Sequence, residues 1–337
     1  MLMISMLLLI KQRQFRLIRL ARLAERREFA IVVVLTTLVT VFYLVEPAFL
    51  RPDNIRAILR GGAFIGVMAV GVAWILLSGS FDLSTGAVCG MAAVVSSTLI
   101  IKQGIPVIPS IILGILSGSL VGAINYNLIF NAHIPAFLAT IGTMFIARGV
   151  GLFVTKGWEL YPLPDSMGVF GRAQPLGISW HFWIFVILVI ISQLLLSLTV
   201  WGLEVKATGS SREIARITEV NVKKVSLSTF VICGSLAALA GVLLTARLIT
   251  GKASIGTGWE LQVITAVAIG GVSLFGYEGS FFGMFLGIIT VQVIQNGLVV
   301  VGLSPYLNTI VVGIILLFTA VVDWRKRKSI SLDRENF

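Results

Sequence analysis

GLEVKATGSSREIARITEVNVKK, residues 202–224, is a hydrophilic island of 23 residues between long apolar segments. Apolar runs broken by one mid-chain polar stretch describe a membrane bundle with a large loop rather than a soluble core. Inside the island, Ser210-Ser211-Arg212-Glu213-Ile214-Ala215-Arg216-Ile217 has the pattern of a short amphipathic helix. Ser210 is placed to cap its first turn and Glu213 to reach back, the S-x-x-E capping box. Ile214, Ile217 and Val220 then recur every three residues on one side. A capped helix held in such a loop is suited to dock a soluble partner. Ser210, Arg212, Glu213, Ile214, Ile217 and Val220 are its candidate contact residues.

Outward from the island the chain is membrane-grade. Hydrophobic residues make up 57% of the 337, charged residues 12%, and the mean hydropathy is +0.99. A soluble domain carries about 25% charged residues. A span needs roughly 20 apolar residues to cross about 30 Å of hydrocarbon. Ten such stretches are read at 29–47, 62–79, 85–101, 105–129, 135–154, 181–201, 226–248, 261–276, 281–302 and 306–323. The expectation is an all-α polytopic membrane protein with about ten transmembrane helices. Two breaks, near 79–86 and 275–280, are placed to lie within the membrane. No Pro/Ser-rich linker divides the chain, so one integral domain at 29–323 is expected between a basic tail at 1–28 and a second tail at 324–337.

The net charge of +11 is unevenly spread: seventeen of 26 Lys and Arg lie in the N-terminal tail, the island and the C-terminal tail. The positive-inside rule then places both tails and the island in the cytoplasm, and an even number of spans agrees. Arg51, Arg56 and Arg60 stand against that pattern, on a segment expected outside. The basic charge therefore reads as topology and not as nucleic-acid binding. The apolar run 1–10 precedes the basic stretch and no A-x-A site follows, which excludes a cleaved signal peptide. Arg13, Arg16, Arg19 and Arg22 spread over half a helical wheel, consistent with a helix on the anionic leaflet or with a loose basic tail.

Catalytic patterns are absent. No phosphate loop, H-E-x-x-H or nucleophile elbow occurs, and no metal-ligand spacing. Cys89 and Cys233 sit inside predicted spans as small apolar residues; His133 and His181 stand alone near helix ends and read as interfacial. The remaining polar groups are few. Asp82, with Ser84, interrupts two apolar segments. An acid at membrane depth is a functional candidate, and equally Asp82 or Ser84 could cap the following helix. Asn125 and Asn127 could face a solute path or brace two helices. Glu260 stands in the first turn after 256–258, favourable for an acid. Glycine spacing at Gly62/Gly66 and at Gly279/Gly283/Gly287 permits close helix packing.

Four stretches then carry a specific resemblance: LSGSFDLSTG at 77–86, IPAFLATIGT at 134–143, GTGWELQ at 256–262 and GGVSLFGYEGS at 270–280. In this order they resemble the integral membrane permeases of bacterial ABC importers for monosaccharides, over about residues 45–325. The resemblance implies an inner-membrane, multi-pass permease with the ABC importer permease fold. It also implies work as a pair with a second permease copy or paralogue, with cytoplasmic ABC ATPase subunits and with a periplasmic sugar-binding protein, among membrane lipid. No cofactor is expected on this chain, ATP being used by the partner ATPase. The island is similar to the family's coupling loop, but 207–211 and 218–220 depart from its usual A-I-G-G-N and S-G-I, and Gln262 replaces an acid. Pathway candidates are Asp82, Ser84, Asn125, Asn127 and Glu260. The alternatives are another solute in the same architecture (a nucleoside, a branched-chain amino acid or a signalling furanose), an ion-coupled secondary carrier, or a scaffold.

Overall fold

A computed structural model describes residues 27–304 and 306–335. The N-terminal basic positions Arg13 to Arg22 lie outside the described residues. The described residues are mostly helical, and no strand forms among them. In chain order the helices are α1 (Arg27–Val45), α2 (Pro52–Leu77), α3 (Thr85–Gln103), α4 (Val107–Phe130), α5 (Ala136–Thr155), α6 (Asp165–Arg172), α7 (Trp180–Leu198), α8 (Val200–Ser210), α9 (Arg212–Ile217), α10 (Val222–Leu248), α11 (Trp259–Ile269), α12 (Phe281–Val300) and α13 (Leu307–Glu335). Among the described residues nine helices are long and apolar enough to cross a membrane: α1 to α5, α7, α10, α12 and α13.

Two expected spans have different bounds. α2 begins at Pro52, ten residues before the apolar run that starts at 62, because proline suits the first helical position and Asp53 the first turn. Arg56 and Arg60 are therefore helical. The stretch expected at 261–276 is helical only over Trp259–Ile269. Eleven residues rise about 16 Å, half of what a bilayer needs. Gly271, with φ +80°, turns the chain after it, and residues 270–280 return as a loop.

α10 is the central helix, packed on α2, α3 and α4. Its crossing with α4 is a backbone contact: a Cβ on Gly118 would strike the Gly234 carbonyl, and one on Gly122 the Phe230 carbonyl. Ser119 and Ser235 share a hydrogen bond of 2.7 Å at that crossing. Without a hydrophobic drive between helices in lipid, small residues and such bonds supply the contact. The Gly283/Gly287 spacing does the same against Ala266 and Gly270 of the short α11 segment, whereas Gly62 and Gly66 receive side chains, Gln292 with Ile288, and Phe185. Trp74 anchors the centre, its Nε1 donating to Ser192 Oγ at 3.2 Å and its ring 4.4 and 4.7 Å from Trp201 and Phe281.

His181, expected to stand alone near a helix end, is instead fully buried at the start of α7. Its ring packs 4.9 Å from Phe64. α4, α5, α7 and α13 expose large apolar side chains such as Leu120, Phe153, Leu194 and Leu317, as expected of faces meeting lipid or another subunit.

Candidate functional site

The island folds as the end of α8, the single short helix α9 and the start of α10. Thr199 caps α8, accepting from Gly202 N at 3.1 Å, and Asn221 caps α10, accepting from Lys224 N at 3.0 Å. The cap of α9 is Ser211, whose Oγ accepts from Ile214 N at 3.3 Å. Ser210, expected in that role, is instead the last residue of α8. The one-residue shift follows from α8 continuing helically through Ser210, which leaves Ser211 as the first extended residue (φ −161°, ψ 118°). Glu213 is exposed and makes no return bond to the cap.

α9 presents Ile214 and Ile217 outward, 63% and 77% exposed, while Ala215 packs inward. Val220 parts from them: the chain turns after Ile217 and Val220 joins the core. Arg212 also points inward. Its Nη2 donates to Gly79 O at 3.1 Å and to Ser80 Oγ at 2.8 Å, and its Cζ lies 4.8 Å from the Phe130 ring centre. Burial and the nearby Arg216 push the Arg212 guanidinium below its ordinary value, though a guanidinium stays protonated. Beside this strut two loops and the last turn of α8 meet backbone to backbone at Gly79, Gly276 and Gly209. Gly79 and Gly276 have φ of +70° and +105°, and a Cβ on either would approach the backbone of Gly209 to 3.1 Å or less. Tyr277 N donates to Leu77 O at 3.2 Å across the junction.

Asp82 stands two residues beyond Ser80 in the same loop. Only 3% of this residue is exposed. Its Oδ1 accepts from Ser84 N at 2.8 Å, from Ser84 Oγ at 2.6 Å and from Asn125 Nδ2 at 3.3 Å; Oδ2 also lies 3.3 Å from Asn125 Nδ2. Asn125 donates to Ser84 Oγ at 3.0 Å and accepts from Thr143 Oγ1 at 2.6 Å. The result is a continuous polar chain from the α2–α3 loop through α4 to α5. Asp82 organises the start of α3, and Asn125 braces helices. Ser84 gives α3 no side-chain cap.

Glu260 belongs to a second group. It stands in the first turn of α11, behind Gly258 in the left-handed conformation. Its Oε2 is buried without a hydrogen-bond partner, against Gly86 of α3, where no Cβ would fit. Arg148 of α5 lies within its electrostatic reach and donates through Nη1 to Ala253 O and, at 3.0 Å, to Ile255 O. These bonds pin the non-helical segment that precedes α11. Asn127 enters neither group: it is exposed, bonded to Ala123 O at 2.8 Å and to Asn131 at 2.7 Å within α4 and its end. Among the described residues no group of three His, Cys, Asp or Glu could hold a metal ion.

Residues 54–320 match the family described as the branched-chain amino acid transport system / permease component. The chain belongs to this permease family. The ribose import permease protein RbsC of Bacillus subtilis is 34% identical over 291 residues, 86% of this chain and 90% of its own. The autoinducer 2 import system permease protein LsrC of an Enterobacter species is 30% identical over 309 residues, 92% and 90% of the two chains. The L-arabinose ABC transporter permease protein AraH of Azospirillum brasilense is 30% identical over 297 residues, 88% and 87%. No solved structure matches the chain.

The protein is thus a multi-pass inner-membrane permease subunit of an ABC importer, a transport component rather than an enzyme, and its partners are an ATPase and a binding protein. Family membership sets aside the ion-coupled carrier. Two departures of this permease from the family pattern now have structural settings. Glu219, where the family's S-G-I has glycine, adopts φ +63°, a conformation that disfavours side chains. Gln262 donates to Gln295 Oε1 of α12 at 2.8 Å. Thr143 and Arg148 were missed by the sequence reading. Thr143 closes the 134–143 stretch, and Arg148 is a lone cation in an apolar helix; that oddity was the available signal.

Proposed function

We propose that this permease forms the membrane pathway for a monosaccharide or related polyol. A second permease copy or paralogue completes the pathway, and ATP hydrolysed on a separate ATPase subunit drives it. The carrying observation is α9. Two isoleucines stand exposed on a short capped helix, while its one inward cation is tied to the loop that holds Asp82. The exposed side supplies apolar contact for the ATPase, and the inward side supplies transmission into the bundle. In this reading α9 and both tails face the cytoplasm, as the distribution of Lys and Arg indicates. The choice of a sugar is supported by the ribose and arabinose permeases among the relatives. Asp82, Ser84 and Asn125 act as structural transmission next to the pathway, and Glu260 with Arg148 as its polar lining.

The test is reconstitution with the ATPase and the binding protein in liposomes. ATP hydrolysis is expected to rise only with binding protein and a monosaccharide together. Stimulation by an amino acid or a nucleoside, and none by sugars, would overturn the sugar reading.

A further inference from the structure

Arg56 and Arg60, which run against the charge pattern, lie one turn apart on α2. Arg56 donates to Asp53 at 3.1 Å, an exposed pair. Arg60 has no such partner among the described residues, and its Nε is buried and unbonded. It stands about 12 Å along the helix from Pro52 and is half-buried. One turn further, Phe64 packs on His181, which brings the start of α7 against the same face. His181 is fully buried. Its Nδ1 lies 2.7 Å from Ser179 Oγ, and its Nε2 has no partner.

α6 lies across the end of α10 farthest from the island. Gly171 abuts the backbone of Ala246 and Arg247, and a Cβ on Gly168 would lie 3.8 Å from Arg172 Nε. The groups acting on Arg247 are Arg60 and Arg172, and those acting on His181 are Arg247 and Arg60, with no carboxylate in either set. Three guanidiniums and an imidazole are thus gathered at this end of the bundle, and among the described residues no carboxylate forms an ion pair with any of the three. Arg172 is exposed and Arg60 and Arg247 are half-buried, but Arg60 Nε and His181 Nε2 are buried without partners, and buried unbonded donors are costly until an anion takes the bonds. Trp180 and Trp183, at the start of α7, are side chains typical of the headgroup level of a bilayer.

We propose that Arg60, Arg172, Arg247 and His181 form a binding site for a phosphate-type oxyanion, supplied by a lipid headgroup or by free phosphate. The guanidiniums hold its charge. With Ser179 donating to Nδ1, the imidazole proton sits on Nε2 and donates to an anion oxygen. The site lies at the opposite end of α10 from the island and is independent of what the pathway carries.

The experiment is thermal unfolding of the purified, delipidated chain in an uncharged detergent. Inorganic phosphate is titrated in one arm and phosphatidylglycerol in another, each against sodium chloride of equal ionic strength. A shift with phosphate identifies a soluble anion, and a shift with phosphatidylglycerol alone identifies a headgroup; either supports the site. The wild type is expected to gain several degrees, whereas Arg60→Gln and Arg247→Gln gain little. Without added anion, Arg60→Gln should melt no lower than the wild type, because a repelling charge has gone. If either variant fails to fold, the exposed Arg172→Gln carries the comparison. No shift in the wild type, equal shifts in the variants, or stabilisation only by an acidic partner protein overturns the proposal.

Discussion

Asp82 shows how one buried carboxylate holds a loop at membrane depth. Three donors converge on its Oδ1, two from Ser84 and one from Asn125. Asp82→Asn keeps that acceptor but turns an amide toward the Asn125 amide, so a loss of about 1 kcal/mol is expected. Asp82→Ala leaves the Ser84 amide and hydroxyl without their acceptor, with a loss of roughly 3 kcal/mol. Thermal unfolding in detergent ranks the two, and an Ala variant as stable as the Asn variant would remove Asp82 from this role. The sequence marked Asp82, Ser84 and Asn125 as unusual but left capping, bracing and solute contact open. That choice depends on which residue across the bundle answers the carboxylate, and Asn125 lies 43 positions away in the chain.

The two sides of α9 separate docking from transmission. Ile214→Asp with Ile217→Asp places two carboxylates where an apolar cleft would cover them, a cost of several kcal/mol. Co-purification with the ATPase should be lost while membrane insertion is kept. Arg212→Gln leaves the exposed face untouched and removes bonds from a charged group worth about 1.5–3 kcal/mol. The ATPase should still co-purify, with coupled transport lower by roughly tenfold or more. If Arg212→Gln instead abolishes docking, the strut is part of the interface. The amphipathic pattern of α9 was legible because periodicity is local. The cap position and the inward turn of Arg212 and Val220 were not, since they follow from where α8 stops and from what packs beneath.

At the scale of the whole molecule, the orientation of the bundle is the open variable that labelling decides. Glu213→Cys and Arg325→Cys are expected to react with an impermeant thiol reagent only from the cytoplasm, and Asp165→Cys only from outside; all three positions are exposed. Reaction of position 213 from outside would reverse the topology. Position 209 cannot serve as a probe, because any side chain there collides with Leu77 O. The native Cys89 and Cys233 are buried and free, so they give no competing signal. Composition and hydropathy by themselves determined a helical membrane bundle, nine of its long helices and the polar island, because transfer from water to lipid acts on each segment separately. Only the tertiary structure decided that the span expected at 261–276 stops being helical at Ile269. It alone joined Gly79, Gly209 and Gly276 in one junction and gathered Arg60, Arg172, Arg247 and His181 at one end. Those outcomes depend on close approach and unpaired charge between distant parts of the chain, which no local pattern encodes.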